Sequence, residues 1–183
     1  MSSDLFSCEI LDIRDRETIE QLEEMLYLSF VEKIPNNWIL SRYTKINNRL
    51  IPDIPYDQLR IYLLKKQNII IAGIGICLDP SIKLSAEDFG FVIKNRAGIC
   101  NGAFFFANGF KGLEFFEIYN LFNFLTADLI KKEIKYIYGT CDHSLFKMYH
   151  FFGYELIEKK QYKDTWIDFI RLDLINESKN FIS

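Results

Sequence analysis

The 183-residue sequence predicts one mixed α/β domain, with a central and mostly antiparallel sheet flanked by helices. Three observations carry this. β-branched runs and helix-period runs alternate in the order β-α-α-β-β-β-α-β-α-β-β, with no repeat or low-complexity linker between them. Residues 103–141 run strand, long apolar helix, strand, which is a parallel βαβ crossover. Short turns elsewhere make hairpins, so the sheet is parallel at the crossover and antiparallel around it. A chain of this size buries about 70% of its unfolded surface. With 49% hydrophobic residues it needs no staple, and residues 1–183 are expected to form a single domain.

Each element has a local cause. "CEILDIR" alternates as a half-buried strand does, and "DRETIEQLEEMLYLSFVEK" places Ile19, Leu22, Leu26 and Phe30 at helical spacing, acids first and a lysine last. "IPNNWILSRYTKINNRLIPDIPYDQ" offers Asn36 or Asn37 as a cap, which predicts a second short helix and then a loop punctuated by Pro52 and Pro55. "LRIYLLKK" and "NIIIAGIGICL" flank a turn at Lys66, Gln67 and Asn68 and form a hairpin. Gly73 and Gly75 in its second arm predict a bulge or the close approach of another backbone. Residues 79–102 mix short apolar pieces with turn residues and read as an excursion poor in strand. "AFFFANGF" is a buried strand. "LEFFEIYNLFNFLTADLIKKE" is the longest helix, apolar on more than one face, with Lys131 and Lys132 at its C-terminal end. "IKYIYGTC" is a strand, "DHSLFKMYHFFG" a short helix capped by Asp142 and stopped by Gly153, and "YELIEKKQY" with "WIDFIRLDL" a closing antiparallel pair.

Composition narrows the function. Net charge is −3 and the basic residues are scattered, so there is no electrostatic footprint for nucleic acid. Cys8, Cys77, Cys100 and Cys141 lie far apart, and His143 and His150 are the two histidines; neither a disulfide framework nor a metal site is expected. The start "MSSDLFSCEI" lacks the basic and apolar regions of a secretory signal. The most apolar stretch, residues 113–130, carries Glu114, Glu117, Asn120, Asn123 and Asp128, which a bilayer centre would penalise. A soluble, cytoplasmic protein is the expectation. The 17 Phe and 10 Tyr suit either a bulky core or a pocket for an apolar chain.

Two stretches carry candidate chemistry. In "NGFKG" a turn leads into the long helix, whose free N–H groups and positive dipole end favour phosphate. Gly109 and Gly112 let the main chain of Phe110, Lys111 and Leu113 come close to such a group, and Lys111 adds charge. In "DHSLFKMYHFFGYELI" a tyrosine stands on a short helix beyond a strand end.

The element order, together with these two stretches, resembles the GCN5-related N-acetyltransferase superfamily. There a strand, a pyrophosphate-binding turn, a long helix and a strand precede a short helix. That helix bears an Asn-like cap, a tyrosine seven residues on, and Gly-Phe after a further four to five. Asp142, Tyr149, Gly153 and Tyr154 keep those intervals. The resemblance implies an acyl-CoA N-acyltransferase fold and transfer of an acyl group from acetyl-CoA, another acyl-CoA or an acyl-carrier protein to a small-molecule amine. It implies no metal, and it is compatible with a homodimer. Tyr149 would be the general acid that protonates the departing thiolate. Backbone N–H groups of Phe105, Phe106 and Ala107 would hold the oxyanion. Gly109, Phe110, Lys111, Gly112 and Leu113 would cradle the pyrophosphate, and Asp142 would be a structural cap beside the donor. Glu114, Glu117 and His143 are candidates for the base, Glu114 being carried with Tyr149 as the catalytic pair. A cysteine nucleophile at Cys141 lacks an orienting acid in the sequence.

The sequence is also similar to the acyl-homoserine-lactone synthases and N-acyl amino acid synthases of this superfamily in its long excursion before the central strand. Their Glu-x-x-Arg is missing from "AFFFANGF". The departures in the turn, one lysine, two separated glycines and the acid Glu114, leave a second class open. That class is a non-catalytic acyl- or CoA-binding or regulatory protein of the same fold with a decayed donor loop.

Overall fold

The computed structural model of the chain describes residues 6–33, 38–79, 81–93, 96–107 and 115–176. In chain order the strands are β1 (Phe6–Ile10), β2 (Tyr43–Ile46), β3 (Arg49–Pro52), β4 (Leu59–Lys66), β5 (Ile69–Cys77), β6 (Ile99–Ala107), β7 (Tyr136–Asp142), β8 (Glu155–Tyr162) and β9 (Thr165–Asp173). The α-helices are α1 (Arg16–Tyr27), α2 (Ser85–Asp88), α3 (Phe115–Lys131) and α4 (Phe146–Phe151). Seven strands make one mixed sheet in the order β1-β4-β5-β6-β7-β9-β8, and β2 with β3 forms a separate hairpin. The β6–β7 pair is parallel, as the crossover predicts, whereas β1–β4, β7–β9 and β8–β9 are antiparallel.

The chain divides into two compact units, Met1–Gly75 with Phe104–Leu121, and Ile76–Ala103 with Phe122–Ser183. In the first unit Asp15 caps α1 by accepting from the Thr18 N–H at 3.1 Å and the Thr18 hydroxyl at 2.7 Å. The apolar stripe that the spacing predicted buries Leu22 and Leu26 completely. On the same helix the buried Glu23 accepts from the Tyr56 hydroxyl at 2.9 Å and lies 3.6 Å from Arg49, which also reaches Glu20 at 3.1 Å. The carboxylate is thereby compensated rather than left bare. In the second unit Leu125, Leu129, Ile137, Ile170 and Leu172 fill one side of the sheet. Phe122 stacks on Phe152 at 4.0 Å. Elsewhere in that unit Phe91 stacks on Phe169 at 5.2 Å, Thr140 donates to the Ser85 hydroxyl at 3.0 Å, and Lys160 donates to the Gly90 carbonyl at 2.6 Å.

Three expectations are corrected. The second short helix is a single 3-10 turn, Trp38–Arg42, followed by the β2–β3 hairpin. Tyr43, Thr44 and Ile46 favour a strand, and Asn47 takes the positive φ of 53° that a tight turn demands. Its proposed caps, Asn36 and Asn37, lie outside the described residues. The central strand begins at Ile99, before "AFFFANGF", so the excursion after β5 is shorter than residues 79–102. Gly73 and Gly75 are approached by ring faces instead of a backbone. A Cβ on Gly73 would meet Phe106 Cε1 at 2.6 Å, and one on Gly75 would run into the Phe104 ring.

The β4–β5 turn conforms to expectation, with Gln67 and Asn68 both at positive φ, 51° and 68°, as a two-residue hairpin turn requires. Close packing over β5 carries a test. Gly75→Ala is expected to destabilise the protein by about 1–3 kcal/mol, because Phe104 must leave its site to admit the methyl group. The urea midpoint measures this; an unchanged midpoint would show that the ring repacks freely.

Candidate functional site

The site begins with a limit on strand pairing. In the β6–β7 ladder the partners are Ile99↔Tyr136, Cys100↔Ile137 and Asn101↔Tyr138. Both strands continue, β6 to Ala107 and β7 to Asp142. Beyond Asn101, among the described residues, β6 has no ladder partner in β7. The carboxyl ends of parallel strands are where open α/β sheets place their ligands. Asn101 stands at the last paired position, is 1% exposed, and neither end of its amide has a hydrogen-bond partner among the described residues. A buried amide without partners costs stability, so its retention at this position marks it for attention.

The end of β7 is built around Asp142. Its carboxylate accepts from the Ser144 N–H at 2.9 Å, the Ser144 hydroxyl at 2.7 Å and the Thr165 hydroxyl at 2.5 Å. The first two start the 3-10 turn His143–Leu145, and the third ties that turn to β9. Burial pushes the Asp142 carboxyl up, but the Thr165 and Ser144 hydrogen bonds outweigh it and hold the group below the usual carboxylate range. Asp142 is therefore the cap that the sequence predicts.

Helix α4 follows and carries Tyr149. Its end is fixed by the Phe152 and Tyr154 N–H groups, which donate to the Tyr149 carbonyl at 3.0 and 3.1 Å, and by Gly153 at φ 87°, a left-handed stop. The Tyr149 ring is half-buried and meets Tyr154 edge-on at 5.5 Å. Burial, with Cys141 adding, pushes the Tyr149 phenol above its ordinary value. Burial likewise pushes the Tyr154 phenol well above its ordinary value, with Tyr149 adding. Tyr149 thus holds its proton through the neutral range. The Cys141 thiol is pushed up to about 12 by burial, then by Asp168 and Asp142. A thiol in that state is a poor nucleophile.

One partner was missed by sequence reasoning. Asp168, wholly buried on β9, is paired with Cys141 in the β7–β9 ladder, and its Oδ2 lies 2.7 Å from His143 Nδ1. The signal available was an acid at an inward position of the apolar run "WIDFI".

The other sequence candidates divide as follows. Phe106 is buried over Gly73, while Phe105 and Ala107 are half-buried on β6 beyond its last ladder partner in β7. Glu117 lies in the first turn of α3, half-buried, and raises the Cys8 thiol second to burial. Gly109, Phe110, Lys111, Gly112, Leu113 and Glu114 lie outside the described residues. Among the described residues no group of three or more His, Cys, Asp or Glu side chains is arranged to hold a metal ion. No helix among them is long and apolar enough to cross a membrane.

No protein-family model matches the chain, and no curated protein does. Solved structures match over nearly its whole length. The AHL synthase LasI superposes with a TM-score of 0.76 at 14% identity, covering 94% of this chain and 91% of that one. MesI, described as a CoA-dependent acyl-homoserine lactone synthase, gives 0.70 at 15% identity, covering 92% and 89%. The ribosomal-protein-S18-alanine N-acetyltransferase from Escherichia coli gives 0.57 at 8% identity, covering 93% and 94%. The chain therefore carries the acyl-CoA N-acyltransferase fold common to these acyl-transferring enzymes, and of the three it is more similar to the two acyl-homoserine-lactone synthases.

Proposed function

We propose that the protein is an N-acyltransferase that moves an acyl group from a CoA or carrier-protein thioester to a small amine by direct attack in a ternary complex. The observation that carries this reading is Tyr149, a half-buried phenol kept protonated at the end of α4, just after the strand whose parallel pairing stops short. A thiolate leaving a tetrahedral adduct gains from such a donor. The high Cys141 thiol supports direct attack over an acyl-enzyme route. Backbone N–H groups of Phe105, Phe106 and Ala107 are the proposed oxyanion donors. Gly109, Phe110, Lys111, Gly112 and Leu113, which precede α3 in the sequence, are the proposed pyrophosphate cradle. The likeness to CoA-dependent synthases, one of them, BjaI, solved with isopentyl-CoA, favours acyl-CoA as the donor and an acyl chain longer than acetyl.

Calorimetric titration with acetyl-CoA and octanoyl-CoA tests the donor. Binding of at least one is expected, tighter for the longer chain, and binding of neither would remove CoA from the reaction. Tyr149→Phe is expected to lower kcat by about 10²-fold with little change in donor affinity, since only leaving-group protonation is lost. Unaltered turnover would strip the residue of its role.

The same phenols give a pH test of the structure itself. Burial raises Tyr149, Tyr154, Tyr43 and Tyr56 in the folded state. Their contribution to stability is intact below the unfolded value near pH 10 and is lost as pH rises above it, because the unfolded chain then ionises first. Phenolate absorbance of these residues is expected to rise together with unfolding; ionisation of all of them in a folded protein near pH 10 would contradict their burial.

A further inference from the structure

An amine acceptor arrives at neutral pH as an ammonium, and its nitrogen has no lone pair until a proton leaves. The transferase reading therefore needs a base, and the geometry points to His143, oriented by Asp168, as the group that takes this proton. The inference rests on that reading and adds a residue to it. Asp168 is 0% exposed and His143 is 49% exposed, with Nδ1 and Oδ2 2.7 Å apart. A carboxylate only accepts, so the hydrogen-bond network assigns the proton to Nδ1 and leaves the Nε2 lone pair on the partly solvated side of the ring.

The pair is poorly explained as a structural tie. A fully buried carboxylate is costly unless compensated. Asp168 has the imidazole on one oxygen, while Oδ1 has no partner among the described residues. A neutral side chain at residue 168 would tie the turn at less cost. Asp168 is complementary instead to the state in which the ring has gained a proton and become an imidazolium, as a preorganised charge should be. The position also fits. His143 follows directly on the carboxyl end of β7, and Cys141, opposite Asp168 in the ladder, lies near enough to Tyr149 to raise its phenol.

Charged and titratable groups near the pair are Cys141 and Asp142 on β7, Tyr149 on α4 beyond Cys141, and Lys159 on β8, which is registered opposite Asp168 and holds its Nζ 4.8 Å over the Trp166 ring. The protons balance. His143 Nε2 takes one ammonium proton, and the freed lone pair forms the C–N bond at the thioester carbon. The C–S bond breaks as the adduct collapses, and Tyr149 gives its proton to the departing thiolate. The second N–H proton, shed by nitrogen in that collapse, restores Tyr149 directly or through water. The imidazolium returns its proton to solvent through its exposed edge.

Two acceptors separate a base from a tie. Thiol release from octanoyl-CoA is measured with a pool of amino acids, which are ammonium at neutral pH, and with hydroxylamine, which is already unprotonated there. His143→Gln is expected to lower kcat with the amino acids by about 10²-fold and to abolish the rise of kcat with pH. With hydroxylamine the loss should be within a few-fold, and KM for octanoyl-CoA should stay the same. Asp168→Asn should move the amino-acid rate in the same direction. Equal losses with both acceptors, or no loss with either, would reduce His143 to a structural residue while wild-type turnover still upheld the transferase. Wild-type transfer confined to hydroxylamine would overturn the base alone, and no transfer to any acceptor would overturn both.

Discussion

Two parallel strands that pair only from Ile99 to Asn101 on β6 and from Tyr136 to Tyr138 on β7 are the constraint on which the remaining features depend. Parallel neighbours must be joined by a crossover, and α3 supplies it. β9, on the other edge of β7, pairs through the full length from Tyr136 to Asp142. That edge keeps β7 extended to its carboxyl end while its β6 edge is released. The turn at Asp142 is then anchored to β9 through Thr165, and α4 starts from a fixed point. Tyr149 owes its place to this chain of supports together with the edge-on contact of its ring with Tyr154.

The same arrangement sorts protons. Burial keeps Tyr149, Tyr154 and Cys141 protonated, and hydrogen bonds keep Asp142 ionised. The group with an exposed edge is His143, and its hidden edge faces a wholly buried carboxylate. Burial keeps the Tyr149 proton in place at neutral pH but also makes the phenol a weaker acid, so its proton must be replaced as it leaves. In the proposed direct attack by an amine, nitrogen sheds a proton as the adduct collapses and would supply that replacement. Acyl transfer to Cys141 would require the thiolate that this environment opposes.

Local features were legible in the sequence, and register was not. The Asp142, Tyr149 and Gly153 intervals are set within one turn and one short helix, so capping and left-handed stops reveal them. The βαβ crossover was equally legible, because the period of α3 is unmistakable next to β-rich runs. Trp38–Arg42 misled because five helix-compatible residues precede β-formers, and the strand preference of Tyr43 to Ile46 won. The glycines of β5 announced a close approach without saying by what; the rings of Phe104 and Phe106 come from a strand far away in sequence. Asp168 stayed hidden for the same reason. Its partners, Cys141 and His143, are assigned only by the pairing of β7 with β9, which no local rule fixes.

Direct transfer at the end of β7 is tested most simply by intact-protein mass measurement of a quenched reaction with octanoyl-CoA and an amine, with free thiol and amide followed in the same sample. The account predicts thiol and amide in equal amounts and a protein of unchanged mass at every time point. A protein that gains the mass of the acyl group before amide forms, or thioester that stays intact in the presence of the amine, would contradict it.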